Sequence, residues 1–162
     1  MFLKFKKHSS PKLNHHFVFI EAAGDLIAPE AILWGEADWW PRRSLMKFTR
    51  LTSGEIQLGT RYRQKVLLPF APKWEAEVTQ LIPGKAIERT FLNGIFKGKE
   101  TVSLEERYNG TKVEYAMRYE ILGIGNQILW RLFFEKMHDR SIERIFKALQ
   151  NYVMNKQKTE AS

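Results

Sequence analysis

Between Leu45 and Leu122 the chain alternates apolar and polar residues in short runs; beyond Asn126 the apolar repeat lengthens to three and four. Period two marks half-buried strands, and period three to four marks an amphipathic helix. The alternating runs predict strands over Leu45–Leu51, Thr60–Leu68, Trp74–Ile82, Ala86–Leu92, Phe96–Arg107 and Lys112–Leu122, separated by "TSGE", "PFAP", "IPGK" and two Asn-Gly pairs. An earlier strand falls in "NHHFVFIEAAGD". "APEAILWGEADWW" reads as a short helix with Pro29 at its opening turn, and Pro41 ends it or starts a second short turn. From Asn126 to about Asn155 the residues Ile128, Leu132, Ile142, Ile145, Leu149 and Tyr152 form one stripe of a long helix. The element order predicts an α+β domain with an antiparallel sheet of about seven strands, short helices after the first strand, and a long closing helix.

Two-residue turns at Asn109–Gly110 and Asn93–Gly94 set explicit registers. The first pairs Leu104 with Tyr115, Val102 with Met117 and Glu100 with Tyr119. The second pairs Phe91 with Phe96, Arg89 with Gly98 and Ile87 with Glu100. Matching apolar faces across "PFAP" pairs Val66 with Ala76 and Gln64 with Val78. The resulting inner face is apolar and aromatic except for Gln64, Gln80, Arg89 and Glu100. Buried polar and charged groups are costly without partners, so this face predicts a cavity in which a ligand or water satisfies them.

Composition adds bounds. Length predicts one domain, with a flexible leader over 1–13, a folded body over 14–155 and a flexible tail over 156–162. The chain has no cysteine, which excludes disulfide and thiolate chemistry and makes the cytoplasm the expected compartment. No apolar run is long enough to span a bilayer, and lysines interrupt the opening "MFLKFKKHSS", so no secretory signal is expected. The net charge of +8 is dispersed. Arg61, Arg63 and Lys65 share the outer face of one strand and, with Arg42, Arg43, Lys47 and Arg50, outline a basic patch. Aromatics do not interleave with that patch, so no specific nucleic-acid partner is expected.

Four stretches resemble the helix-grip fold of START-like lipid carriers and the birch-pollen-allergen superfamily, most of all its bacterial polyketide cyclase/dehydrase and lipid-transport group. "APEAILWGEADWWPRR" resembles the helical entry. "RLTSGEIQLGTRYR" resembles a Gly-flanked hairpin, and "WEAEVTQLIPGKAIE" a strand–Pro–strand step. "LEERYNGTKVEYAMRYE" resembles the strand with a Gly-Thr turn before the closing helix. The resemblance implies a curved sheet wrapped around the long helix and a hydrophobic small-molecule ligand, such as a lipid, quinone, sterol or polyketide. A monomer or weak dimer is expected, without a cofactor, cytoplasmic or peripheral at an anionic membrane surface.

The ligand-binding candidates are Trp40, Tyr62, Gln64, Trp74, Val78, Gln80, Arg89, Phe91, Glu100, Val102, Tyr115, Met117, Tyr119 and Phe133. Trp34 is expected against the sheet and Trp40 toward the cavity. Glu100, Arg89 and Tyr119 are the catalytic candidates if the domain is a cyclase or dehydratase, with Arg holding an anionic group and Glu or Tyr moving a proton; the alternative for the same residues is a buried ion pair completed by a tyrosine hydrogen bond. The third reading is a peripheral membrane or nucleic-acid interaction through the basic outer face, with "ILWRLFFEKM", Arg131 and Lys136 as a candidate membrane-docking stretch. No metal site is expected, because His15 and His16 point to opposite faces of a strand and His138 stands alone on the helix. No phosphate loop or nucleophile elbow is present, "ILGIGNQ" lacking the dinucleotide fingerprint.

Overall fold

The computed structural model describes residues 10–160. Strand β1 (Lys12–Ile20) leads into helix α1 (Gly24–Ile32). Then come β2 (Met46–Arg50), β3 (Arg61–Val66), β4 (Lys73–Ile82), β5 (Ala86–Phe91), β6 (Phe96–Arg107) and β7 (Gly110–Ile121). A continuous helical segment closes the chain as α2 (Ile124–Leu129), a π-helical turn (Trp130–Phe134) and α3 (Glu135–Glu160). The sheet is antiparallel with order β1-β7-β6-β5-β4-β3-β2. Consecutive strands β2 to β7 are neighbours, and β1 returns to pair with β7. One face of the curved sheet packs on α1 and α3, which is the helix-grip architecture.

Alternation forms this core. The burial pattern of β3 is strictly exposed–buried, and β7 buries Thr111, Val113, Tyr115, Met117, Tyr119 and Ile121 on one face. Each hairpin register differs from expectation by an even number of residues. Leu104 pairs with Val113 and Glu100 with Met117; Arg89 pairs with Glu100; Gln64 pairs with Trp74. Even shifts leave every side chain on its expected face while changing its neighbour. At Asn93–Gly94 the connection is longer than two residues, because Asn93 Oδ1 accepts the Glu75 N–H at 2.9 Å and ties the turn to β4. Gly94 sits there at φ 85°, against the Lys73 carbonyl, where a Cβ would collide.

Elsewhere odd shifts did intervene. A β-bulge between Val78 and Gln80 turns Gln80 outward to solvent, so it does not belong to the inner face. Leu68 lies in the β3–β4 loop and is also exposed. The π-helical turn rephases the closing helix. Trp130, Phe134, His138 and Ile142 are buried at intervals of four, a spacing that a regular α-helix would rotate off the sheet. Ile128 and Leu132, expected on the buried stripe, are therefore exposed; Phe134 points inward and Phe133 outward. Near the C-terminal end Val153 takes the buried place expected for Tyr152.

Helix α1 starts at Gly24, so Pro29 lies inside it rather than at its opening turn. Hydrogen-bonded turns over Leu33–Trp40 continue the helical path in place of a second regular helix. The leader expected over 1–13 lies outside the described residues up to residue 9, and β1 already begins at Lys12. Residues 156–160, expected as tail, extend α3, where Lys156 Nζ meets Glu30 Oε1 at 3.3 Å.

Candidate functional site

The inner face of β3–β7 carries a hydrogen-bonded polar chain inside an aromatic shell. Arg89 on β5 and Glu100 on β6 are directly opposed, at 1% and 2% exposure. Arg89 Nη1 lies 3.4 Å from Glu100 Oε1, and Nη2 donates to the Trp34 carbonyl at 3.3 Å. The guanidinium also stands over the Tyr62 ring, 4.7 Å from its centroid. Gln64 on β3 donates from Nε2 to Glu100 Oε1 at 2.6 Å and accepts the Trp74 indole N–H at 2.8 Å. Tyr115 on β7 donates its hydroxyl to Glu100 Oε2 at 3.1 Å.

His138 reaches this chain from α3, with Nε2 3.4 Å from the Tyr115 oxygen. Because the tyrosine proton is used on Glu100, the contact is satisfied by an imidazole with its proton on Nε2. Burial pushes His138 down to about 4, opposed by Asp139, so the ring is neutral at pH 7. Burial and the Glu100 carboxylate hold the Tyr115 hydroxyl well above the usual tyrosine range. Burial also raises Tyr62, to about 12, against the lowering influence of Arg89; its hydroxyl donates to Glu36 Oε1 at 3.0 Å. Glu36 in turn pairs with Arg50 at 3.0 Å.

Most of the sequence-predicted site residues come together here. Tyr62, Gln64, Trp74, Arg89, Glu100 and Tyr115 touch one another, while Val78, Phe91, Val102 and Met117 are buried on the same face. Tyr119 stands apart. It is opposite Gly98, its hydroxyl accepts the Trp130 indole N–H at 3.1 Å, and burial raises its pKa. The expected convergence of Tyr119 with Glu100 and Arg89 does not form; the two-residue register shift gives that place to Tyr115. Gln80 and Phe133 face solvent. Trp40 is half-buried, packing edge-on against Trp34 and Phe48 and donating to the Met46 carbonyl at 3.3 Å. The central tryptophan is Trp34, stacked on Tyr115 at 5.6 Å and 15°, with Trp39 edge-on to it.

Sequence reasoning missed His138 and Glu36. The four-residue spacing from Trp130 was the available signal for His138; no sequence pattern tied Glu36 to Tyr62.

Three buried N–H groups of this region lack partners among the described residues: Arg89 Nε, Trp34 Nε1 and Trp39 Nε1. Such orphaned donors are rare in interiors and call for an acceptor. An apolar cleft of about 380 Å³ opens between α1 and the β4–β5 turn, and none of these three residues lines it. Asp25, Ala28, Pro29 and Ile32 form one wall and residues Leu81–Ala86 the other, with Ile87 and Val102 at the floor. Ile87 and Val102 are paired across β5 and β6, one inward-facing step before Arg89 and Glu100. The outer basic face is neutralised in part, since Arg61 and Arg63 both bond Glu75 at 3.0 Å and hold its carboxyl below the usual range.

No family model and no curated protein matches the sequence. Solved structures do match in shape. The chain is similar to TTHA0849 from Thermus thermophilus, with TM-score 0.69 and 17% identity, covering 89% of this chain and 98% of that one. It is similar to norcoclaurine synthase from Thalictrum flavum, in complex with dopamine and hydroxybenzaldehyde, with TM-score 0.64 and 14% identity over 90% and 88% of the two chains. Ginseng major latex-like protein 151 from Panax ginseng gives TM-score 0.63 and 11% identity over 88% and 97%. At these identities the likeness establishes the shared fold.

Proposed function

We propose that this helix-grip domain binds a small apolar molecule carrying an acceptor oxygen, taken up through the cleft between α1 and the β4–β5 turn. The observation that carries this reading is the set of orphaned donors on Arg89, Trp34 and Trp39 inside an aromatic interior. The mechanism is enclosure. Ile32, Ile87, Val102 and the indoles exclude water from the apolar body, and a carbonyl or carboxylate of the ligand accepts from Arg89. Arg89 suits the task because Glu100, Trp34 and Tyr62 already fix its plane, leaving Nε to donate. Support comes also from the similar fold of norcoclaurine synthase, whose crystals hold dopamine and hydroxybenzaldehyde, two small aromatic molecules.

Anilinonaphthalene sulfonate, an aromatic anion, is a suitable probe. Titration is expected to change the intrinsic tryptophan emission, through Trp34 and Trp39. Ala28→Phe narrows the cleft from α1 without touching the polar chain and is expected to abolish the response. A folded Ala28→Phe protein with the parent's affinity would overturn the cleft as the route of entry.

A further inference from the structure

The end of the sheet opposite the cleft exposes far more apolar surface than packing requires. The β3–β4 loop, the β5–β6 connection and the β7–α2 junction all meet there. Asn93 is bonded to Glu75 at the start of β4, and the Leu122 N–H bonds the Ile95 carbonyl at 2.8 Å. Phe70 at the tip of the first loop is fully exposed, at φ 58°. Leu68 and Leu92 stand beside it in the two loops, both more than two-fifths exposed. From the helical segment Ile124, Leu132 and Phe133 add side chains exposed at 63%, 66% and 64%. The π-helical turn causes this: it aims Trp130 and Phe134 at the core, with Trp130 edge-on to Phe96 at 4.7 Å, and thereby sends Leu132 and Phe133 outward.

The charge around this end is basic. Lys65, Lys73, Arg131 and Lys136 are exposed and have no ion-pair or hydrogen-bond partner among the described residues. Of the nearby carboxylates, Glu135 meets Lys12 at 3.4 Å and Asp139 bonds Asn14 and His16, while Glu120 stands opposite Lys97 across β6 and β7.

We propose that this end docks on the surface of an anionic lipid bilayer. The apolar residues stand on separate protrusions, a loop tip and a helical shoulder, which suits shallow insertion between lipids. The unpaired lysines and arginine ring them at the level where anionic headgroups lie. No helix of the described residues is long and apolar enough to cross a membrane, so the contact is peripheral. The cleft lies at the far end of the sheet and stays open to solvent in the docked state, so docking does not depend on the ligand reading.

Flotation of the full chain with vesicles tests this, using phosphatidylcholine alone and a one-to-one mixture with phosphatidylglycerol. The protein is expected to float with the mixed vesicles and to stay behind with phosphatidylcholine alone. Leu132→Glu/Phe133→Glu should lower binding on the order of tenfold or more. Tyr108→Glu, at the opposite end, should leave it unchanged. Both variants change exposed positions, and their melting curves should match the parent. The proposal is overturned if the parent floats with neither vesicle, if both vesicles bind it equally, or if the double variant binds as the parent does. It is equally overturned if ultracentrifugation shows a dimer that the double variant dissolves while vesicles remain unbound.

Discussion

Arg89 and Glu100 are almost wholly buried, whereas Phe70, Leu132 and Phe133 stand in solvent at one end of the same sheet. The two regions break the ordinary partition of side chains in opposite directions. In the interior the departure is compensated: Glu100 accepts from Gln64, Tyr115 and Arg89, and only a few N–H groups are left over. At the apolar end nothing within the described chain compensates it. A hydrogen-bonded charge inside is a matter of internal stability and of what the leftover donors can hold. An uncovered apolar surface is a matter of what lies outside the molecule.

Substitutions that reverse the chemistry of each region should therefore have unlike consequences. The largest effect is expected from Arg89→Met, which leaves Glu100 buried without its cation; urea unfolding should show a loss of about 3–5 kcal/mol. The double variant Arg89→Met/Glu100→Leu should recover much of that loss, because the pair is removed together. A single variant as stable as the parent would break the comparison at its buried side.

The next effect concerns pH. His138 titrates near 6.5 when unfolded and near 4 when folded. Below pH 6.5 the unfolded chain therefore takes up a proton that the folded protein refuses, and stability falls as pH drops toward 4. The contribution is about 3 kcal/mol across that window. His138→Gln should flatten this limb of the stability–pH curve; an unchanged slope would place the titration elsewhere.

Gln64→Leu should cost about 1–3 kcal/mol, since the Trp74 N–H loses its acceptor and Glu100 loses one donor. At the other extreme, Leu132→Ser/Phe133→Ser removes two large apolar side chains yet should shift stability by only about 0.5 kcal/mol or less. A loss comparable to that of a core truncation would mean these residues pack against something within the chain.

Strand alternation was legible in the sequence because facing is robust to register errors of two or four residues. Arg89, Glu100, Gln64 and Tyr115 were thus placed on one inner face, although the β5–β6 connection is longer than two residues and the two-residue β6–β7 turn is Tyr108–Asn109 rather than Asn109–Gly110. Their partners were not legible, because a neighbour changes with any shift: Tyr119 was expected at Glu100, and Tyr115 is the residue that bonds it. Single-residue insertions defeated the periodic reading. The bulge after Val78 turned Gln80 outward, and the π-helical turn exchanged Phe133 for Phe134. Neither leaves a mark in local propensity, since each is fixed by packing across the sheet. Trp34 was correctly placed against the sheet, while the central role of its stack on Tyr115 depended on how α1 and its following turns close. Gly35 permits that closure at φ 94°, with its α-carbon packed against the Phe48 ring.

The central claim, that the interior takes up a small apolar molecule with an acceptor oxygen, is tested most directly by native mass spectrometry of the protein purified from its own host. The account predicts a noncovalent adduct of a small organic molecule, absent from the Ala28→Phe variant prepared in the same way. Unliganded protein alone in the parent preparation, together with no change in tryptophan emission on adding anilinonaphthalene sulfonate, would contradict it.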